Sequence, residues 1–228
     1  NVYKNVYAFI TPSEFLKNKL ALNGFEEKRI HCIPTFTASK TTIGEQQIGS
    51  YGLYFGRVTE EKGVETVIKA YEKLPEYTVK IMGDDTTDEA KRLKKYVENH
   101  KMKNVEFLGF KSGEELENVI KGARFTLIPS IWYDNLPNTA LESFQYSKPV
   151  IASNIGSLPE LVIDGENGYL FKPSNVEDLI KKIKMLDDDT LVKKMGQASR
   201  KRLESRFAPQ THYEELMKIF NEAVKSRK

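Results

Sequence analysis

The sequence predicts an α/β fold built as a doubly wound, Rossmann-like parallel sheet. Short apolar runs, rich in β-branched and aromatic residues, alternate with longer segments in which apolar residues recur every three or four positions. Alternating strands and helices imply right-handed crossovers, which produce a parallel sheet with helices on both faces. Ligands of such sheets bind beyond the carboxyl ends of the strands. A functional site is therefore expected in the loops that follow the strands.

The predicted strands are short apolar runs, and the predicted helices are longer segments with an apolar stripe. The first two strands flank one helix, so that they form a single β-α-β unit ahead of a polar gap. In chain order, strands are expected at 6–10, 30–33, 51–55, 78–82, 105–108, 125–128, 149–152 and 169–171. Helices are expected at 12–22, 64–74, 87–99, 113–122, 138–147, 176–187, 190–205 and 210–226.

The polar gap, FTASKTTIGEQQIG, has no hydrophobic periodicity and is rich in Ser, Thr and Gly, as linkers are. The β-α-β unit before it is too small to bury a core of its own. We therefore predict that residues 1–36 are the tail of a truncated N-terminal domain, 37–49 a linker, and 50–228 an intact Rossmann-like domain with C-terminal helices. The chain begins with Asn rather than Met, and we expect it to be a fragment or a processed product.

The composition excludes several classes of protein. A net charge of +3 over 228 residues is too small to indicate nucleic-acid binding, and no basic stripe with interleaved aromatic residues occurs. The one cysteine, Cys32, excludes an internal disulfide and suits a reducing cytoplasm. The three histidines, His31, His100 and His212, lack the spacing of metal ligands. No apolar run approaches the roughly 18–20 residues that cross a bilayer, so that a cytoplasmic location is expected.

The loop FGRVTEEKGV, residues 55–64, is the first candidate for ligand binding. Gly56 permits a close approach of the backbone, and Arg57 and Lys62 supply two cations at the carboxyl end of a strand. Two such cations suit a diphosphate, with Arg as a planar fork and Lys as a point charge. The alternative is an ordinary strand-to-helix loop whose cations pair with the glutamates of 60–65.

The stretch PSIWYDNLPNTALESF, residues 129–144, carries two acids eight positions apart, Asp134 and Glu142. Pro137 suits the first turn of a helix, with Asn135 as its cap, and the first amides of that helix would attract an anion. Glu142 could then reach ribose hydroxyl groups beside the phosphates, and Asp134 would face a sugar on the other side. The alternative makes Asp134 a helix-start acid and Glu142 an exposed helix residue.

Three further segments carry weaker signals. The strand in NVEFLGFKS ends at Gly109, whose following backbone could contact a nucleobase with Phe110 nearby; an ordinary turn with a core aromatic is the alternative. The acidic runs 83–88 and 187–189 resemble carboxylate pairs for a divalent metal ion. We interpret the first instead as the start of the helix near Thr87, and the second as a polar turn between helices.

Taken in order, FGRVTEEKGV, VKIMGDD, NVEFLGF and PSIWYDNLPNTALESFQYSKPVIASNIGSLPELVIDGENGYLF form a familiar set. The set closely resembles the C-terminal, donor-binding domain of retaining glycosyltransferase family four, which has the GT-B fold and uses nucleotide-activated sugars. The resemblance covers about residues 50–185. The upstream segment ITPSEFLKNKLALNGFEEKRIHCIP resembles the end of the family's N-terminal domain.

The resemblance implies a role for each matched position. Arg57 and Lys62 match the basic pair that holds the donor diphosphate. Asp134 and Glu142 match the two acids of the E-x7-E motif, the first contacting the donor sugar and the second binding ribose, although the first acid is usually Glu. The remaining matches line the donor cleft at Gly56, Gly83, Gly109, Phe110, Leu136, Asn138 and Thr139.

The implied activity is the transfer of a sugar from a UDP- or GDP-sugar to an acceptor hydroxyl group with retention of configuration, in polysaccharide, lipopolysaccharide or glycolipid synthesis. The resemblance implies no metal cofactor, since the cations and the helix start stabilise the leaving diphosphate. The implied partners are the nucleotide-sugar donor and the missing N-terminal domain. That domain could also bring the protein to the inner face of the plasma membrane, and no nucleic acid is implied.

Two other functions are compatible with the same residues. A catalytically silent GT-B-like module could bind a nucleotide or a protein, and a related GT-B epimerase or phosphorylase could use the same cleft. For the transferase interpretation we expect this chain to bind donor nucleotide but to transfer nothing by itself, because the acceptor site belongs to the missing domain. The C-terminal helices in the family pack toward the first domain, so that Tyr213, Leu216 and Phe220 are expected to be exposed here.

Overall fold

The computed structural model describes residues 3–37 and 47–226. Within these ranges, eight strands form two parallel sheets. A two-stranded sheet pairs β1 (Phe9–Thr11) with β2 (Ile30–Cys32). The six-stranded sheet contains β3 (Tyr51–Phe55), β4 (Thr78–Met82), β5 (Val105–Gly109), β6 (Ala123–Ile128), β7 (Val150–Ser153) and β8 (Gly168–Phe171). Its strand order is β5-β4-β3-β6-β7-β8, which is the doubly wound α/β architecture that the sequence predicts.

The helices follow the predicted alternation. They are α1 (Glu14–Leu22), α2 (Val64–Glu72), α3 (Asp88–Asn99), α4 (Gly113–Lys121), α5 (Asn138–Gln145), α6 (Leu158–Leu161), α7 (Val176–Lys184), α8 (Asp189–Arg206) and α9 (Pro209–Lys225). The four-residue α6 was not predicted, because so short a helix has no hydrophobic period to detect. Across the described part of the chain, none of these helices combines the length and the apolar character that would carry it through a membrane.

The central strand β3 shows why helices cover both faces of the sheet. Successive side chains of a strand point to opposite faces. Accordingly, Tyr54 packs with Val67 of α2, whereas Leu53 and Phe55 pack with Ile120 of α4. All five side chains are buried, and each large apolar one contributes roughly 1.5–3 kcal/mol of burial free energy. The sheet therefore forms a rigid base for the loops at its carboxyl edge.

The acidic runs have local structural uses. Thr87 caps α3, since its hydroxyl accepts a hydrogen bond from the amide of Ala90 at 3.1 Å. Asp188 caps α8, since its carboxylate accepts from the amides of Thr190 at 2.8 Å and Leu191 at 3.4 Å. The predicted helix start near Thr87 is confirmed, and the acids of 187–189 lie where α7 passes into α8.

The β1-α1-β2 unit is held on the larger sheet by contacts at the start of α1. The carboxylate of Glu160, on α6, accepts hydrogen bonds from the amides of Glu14 at 2.8 Å and Phe15 at 2.6 Å. The ring of Phe15 lies 5.0 Å from the ring of Tyr133. The predicted linker at 37–49 falls mostly outside the described residues, and the domain boundaries stay a prediction.

The last helix, α9, contacts this unit along part of its length. Nδ1 of His212 lies 2.7 Å from the carbonyl oxygen of Pro34. On the same helix, the side chains of Tyr213 and Phe220 are 57% and 52% exposed, as predicted, while Leu216 is half-buried. The apolar face of α9 is therefore only partly covered.

Candidate functional site

Four loops meet at the carboxyl edge of the six-stranded sheet, where they follow β3, β4, β5 and β6. Main-chain hydrogen bonds join the first three. The amide of Gly56 donates to the carbonyl of Met82 at 3.0 Å, and the amide of Gly83 donates to the carbonyl of Gly109 at 3.0 Å. The sequence segments that suggested a site are therefore adjacent in space.

Two of these loops come so close to neighbouring backbone that only glycine fits. A Cβ atom on Gly83 would lie 1.9 Å from the carbonyl oxygen of Gly56. A Cβ atom on Gly63 would lie 2.1 Å from the carbonyl oxygen of Pro129, and Gly63 has a φ of +67°. The loop after β3 is thereby pressed against the loops after β4 and β6.

Two adjoining compartments open at this edge. The apolar compartment encloses about 310 Å³, and its walls include Met82, Phe110, Leu116 and Glu142. The polar compartment encloses about 360 Å³, and its walls include Lys62, Ser130, Asp134 and Asn138. Both are lined by Phe55, Gly56, Arg57 and Thr139, so that these residues mark the junction between them.

The polar compartment contains an ion pair. Nζ of Lys62 lies 2.6 Å from Oδ1 of Asp134, and the two side chains are only 18% and 16% exposed. Lys62 thus pairs with this distant acid rather than with the glutamates of its own loop. The amide of Ile131 donates to the carbonyl of Glu61 at 3.0 Å, which ties the two loops together beside the pair.

Two buried serines hold the acid of this pair. The hydroxyl of Ser130 donates to Oδ2 of Asp134 at 2.6 Å. The hydroxyl of Ser157 donates to the main-chain carbonyl of Asp134 at 2.7 Å. The sequence did not indicate either serine, because a serine after a strand or before a short helix is typical of any turn.

Arg57 stands at the junction with its side chain 74% exposed and its guanidinium 4.0 Å from Glu61. So exposed and so distant a pair contributes little to stability. The main chain of Arg57 is better fixed, since its carbonyl accepts a hydrogen bond from the hydroxyl of the buried Tyr54. Burial, helped by the nearby charge of Asp134, raises the pKa of that hydroxyl, which stays protonated as a donor.

The start of α5 differs in one detail from the prediction. Pro137, rather than Asn135, occupies the cap position, and no side chain caps the helix. The amides of Asn138 and Thr139 have no acceptor among the described residues. Because both residues line the polar compartment, these amides are available to a ligand there.

Glu142 lies on α5 in the wall of the apolar compartment. Among the described residues its carboxylate has no hydrogen-bond or ion-pair partner, and burial raises the pKa of this carboxyl group. Phe110, on the opposite loop, is 74% exposed and thus offers a free aromatic face. The apolar compartment therefore has a carboxylate without a partner among the described residues and an exposed aromatic ring, and both are available to a ligand.

The structure brings nine of the eleven predicted site residues to the two compartments. Those in the walls are Gly56, Arg57, Lys62, Gly83, Phe110, Asp134, Asn138, Thr139 and Glu142. Gly109 instead has a positive φ and supplies the carbonyl that fixes Gly83, and Leu136 packs against the core below α5. The roles assigned to all eleven stay predictions. Within residues 3–37 and 47–226, no group of three or more potential metal-binding side chains is present.

The family described as "Glycosyl transferases group 1" matches residues 42–202 of this chain. The uncharacterized glycosyltransferase MJ1178 of Methanocaldococcus jannaschii is 30% identical over 190 residues, which cover 82% of this chain and 52% of that protein. The chain spans about half the length of the curated relatives it matches.

Solved structures show the same fold. A glycosyltransferase from Rickettsia africae superposes with a TM-score of 0.88 at 21% identity, over 98% of this chain and 66% of that one. Anabaena Alr3699/HepE, solved in complex with UDP and glucose, superposes with a TM-score of 0.83 at 19% identity, over 94% of this chain and 63% of that one. At these identities the likeness concerns the architecture.

Proposed function

Because this chain belongs to the group 1 family of glycosyl transferases, we propose that it binds a nucleotide-sugar donor for transfer of the sugar to an acceptor hydroxyl group. The observation that carries the proposal is the junction between the two compartments. There the guanidinium of Arg57 and the open start of α5 lie between an apolar wall bearing Glu142 and a polar wall bearing Asp134.

A nucleotide sugar has the same sequence of chemical groups. Its base and ribose suit the apolar compartment, where Phe110 can stack and the carboxylate of Glu142 can accept two hydrogen bonds from a vicinal diol. Its diphosphate suits the junction, where Arg57 and the amides of Asn138 and Thr139 can donate. Its sugar then lies in the polar compartment beside Asp134. The complex of Alr3699/HepE with UDP makes a UDP-sugar the first donor to test.

The proposed reaction breaks the bond between the anomeric carbon and the diphosphate and forms a bond to the acceptor oxygen. The negative charge on the diphosphate grows as the first bond breaks. In the proposed step Arg57, Lys62 and the amides at the start of α5 stabilise that charge, and no metal ion is used. The acceptor attacks from the face that the diphosphate leaves, which retains configuration, and its proton passes to the departing phosphate oxygen. No protein nucleophile is assigned.

A calorimetric titration with UDP, GDP and ADP tests the proposal, first with EDTA and then with magnesium. We expect metal-free binding of one nucleotide in the micromolar range, which is about −8 kcal/mol at 1 μM. Arg57→Ala should weaken it at least tenfold, because a hydrogen bond to a charged group contributes roughly 1.5–3 kcal/mol. The matched control is Arg92→Ala on α3, an exposed arginine that pairs with Glu65 and Glu89.

Absence of binding by all three nucleotides would contradict the proposal. An equal loss in Arg57→Ala and Arg92→Ala would show that general surface charge, rather than the junction, attracts the nucleotide. Binding that appears only with magnesium would contradict the metal-free step.

We also propose that this chain binds donor without transferring it, since it spans about half the length of its relatives. The remaining half would supply the acceptor site, in polysaccharide, lipopolysaccharide or glycolipid synthesis as the resemblance implies. Mixing this chain with the separately expressed remainder should restore transfer, and turnover by this chain alone would contradict the proposal. Loss of transfer on substitution of Arg57 and Lys62 in the longer protein would exclude a catalytically silent module.

A further inference from the structure

We propose that Ser130 is a positioning residue for the donor sugar, because its hydroxyl sets the orientation of the Asp134 carboxylate. The inference rests on the proposed function, in which Asp134 faces the sugar. It adds a residue that contacts neither the diphosphate nor the base, and it predicts a defect confined to the sugar.

The carboxylate of Asp134 is fixed at both oxygens from two different loops. Oδ1 lies 2.6 Å from Nζ of Lys62, in the loop after β3. Oδ2 accepts the hydroxyl proton of Ser130 at 2.6 Å, from the end of β6. Rotation of the carboxylate about its last bond would break both contacts. The pair Lys62 and Ser130 therefore selects one plane for the carboxylate, which neither residue could do alone.

The backbone of Asp134 is fixed as well. Its carbonyl accepts from the hydroxyl of Ser157 at 2.7 Å, and its amide donates to the carbonyl of Trp132 at 3.0 Å. Ser130 and Ser157 are both buried, so that water does not compete for their hydroxyl groups.

The same geometry gives a reason for aspartate at this position. A glutamate carries its carboxylate about one bond, ~1.5 Å, farther from the main chain. Lys62 and Ser130 each lie 2.6 Å from an aspartate oxygen, so a carboxylate displaced that far would not meet both donors in their present positions. Asp134→Glu would therefore lose the fixed orientation, even though glutamate is usual in the family that the sequence resembles.

Preorganised acceptors favour a ligand because no ordering is needed when it binds. The sugar hydroxyl groups would meet a carboxylate already held in one plane, with Lys62 balancing its charge beside the diphosphate. Removal of the Ser130 hydroxyl leaves Lys62 in place but frees the carboxylate to turn. The substitution should therefore weaken the contribution of the sugar to binding and leave the affinity for the nucleotide almost unchanged.

The test compares the affinities of UDP and UDP-glucose by calorimetry, or of GDP and GDP-mannose if GDP is the nucleotide bound. In Ser130→Ala, UDP should bind within about twofold of the unaltered chain, while the gain in affinity from the sugar should fall about tenfold. Asp134→Ala and Asp134→Glu should lose the same gain. If Ser130→Ala folds poorly, Ser130→Cys takes its place. Cysteine is similar in size but a weak donor, so this variant should also lose the gain in affinity from the sugar.

The matched control is Ser199→Ala. Ser199 lies on α8, outside both compartments, and is also buried. Its hydroxyl donates to the carbonyl of Asn167 at 3.0 Å. This variant should keep both affinities. The proposal is overturned if Ser130→Ala keeps the full gain from the sugar while Asp134→Ala loses it. It is also overturned if Ser130→Ala weakens UDP and UDP-glucose equally, which is the sign of a merely structural serine.

Failure of the proposed function has a different result. If the unaltered chain binds no nucleotide, the donor site itself is wrong. If it binds UDP but gains nothing from any sugar, and Asp134→Ala changes nothing, then Asp134 does not face the sugar and the role of Ser130 falls with it.

Discussion

The polar and apolar compartments contain the acids Asp134 and Glu142, respectively. The first acid is paired and hydrogen-bonded within the protein, and the second is not, within the described part of the chain. Asp134 already has Lys62 and Ser130 on its two oxygens. Glu142 has no partner among the described residues, and burial raises its pKa. The carboxylate of the polar compartment is therefore already held by the protein, whereas the carboxylate of the apolar compartment has hydrogen-bond capacity that a ligand could fill.

The difference has an energetic meaning. Removal of one partner from a paired and hydrogen-bonded carboxylate is destabilising, because it leaves a poorly solvated charge. An unpartnered, half-buried carboxylate opposes folding, because the charged form is removed from water without compensation. Ribose hydroxyl groups would offset that cost on binding. The polar compartment should thus be coupled to stability, and the apolar compartment to ligand affinity.

The largest effect is expected for Lys62→Ala, which breaks the polar half. Asp134 would keep Ser130 but lose its counter-charge in a site where the two side chains are 16–18% exposed. We expect a loss of about 2 kcal/mol of unfolding free energy, between the values for exposed and fully buried pairs. Urea unfolding measures it, and nucleotide-sugar affinity should fall at least tenfold in the same variant.

The control for this loss is Lys73→Ala, which breaks the exposed pair between Lys73 and Glu177. That pair joins α2 to α7 away from both compartments, and its removal should leave the unfolding free energy nearly unchanged. Equal destabilisation by the two substitutions would contradict the special status of the pair in the polar compartment.

A smaller and opposite pattern is expected for Phe110→Ala in the apolar half. The ring is 74% exposed, so that its removal should leave the unfolding free energy within about 0.5 kcal/mol. Loss of base stacking should weaken UDP binding about fivefold, the lower end of the roughly 1–3 kcal/mol found for such contacts. Phe220→Ala on α9, which is 52% exposed, is the matched control and should alter neither quantity. A loss of stability in Phe110→Ala would contradict the view that the apolar compartment is coupled to ligand affinity and not to stability.

The smallest effect on stability is expected for Glu142→Gln. Unlike the other substitutions, this one should stabilise the protein at neutral pH. The folded pKa is raised above the unfolded value of 4.5, so the folded chain holds the proton more tightly. The contribution of Glu142 to stability is therefore greatest below the unfolded pKa and declines as pH rises through the folded pKa. Glu142→Gln removes this dependence, and at pH 7 it should be slightly more stable than the unaltered chain.

Ligand affinity should move the other way in this variant. The preference for UDP over its 2′-deoxy analogue should shrink several-fold in Glu142→Gln, because a neutral amide accepts more weakly than a carboxylate. Thermal unfolding from pH 4 to 8 and paired titrations with the two nucleotides supply the measurements. A variant less stable than the parent at pH 7, with the preference unchanged, would contradict the assignment.

Much of the fold and the location of the site could be predicted because both follow from local patterns. Apolar runs and helical periods located the strands and eight of the helices within a few residues among the described ranges, and loops after parallel strands must share one edge. The pairing of Lys62 with Asp134, 72 residues apart, could not be predicted, since it depends on how tightly two loops approach.

Errors and omissions in the site have the same origin. The sequence predicts Asn135 as the cap of α5, but Pro137 occupies that position with extended backbone, so the helix starts at Asn138. Ser130 and Ser157 gave no signal, because a hydroxyl group after a strand has many uses and only the fold reveals its acceptor. Side-chain periodicity reports burial, and it is silent about which polar atoms meet.

The contact between Gly83 and Gly56 limits how this binding cleft can diversify. Its floor is main chain against main chain, with no room for a single added carbon atom. Any change of ligand preference, in nature or in a mutant library, must therefore come from the walls, where Phe110, Leu116 and Asp134 present side chains. A library that spares the floor and the Lys62–Asp134 pair, and varies exposed wall residues such as Phe110, would change ligand preference at little cost in stability.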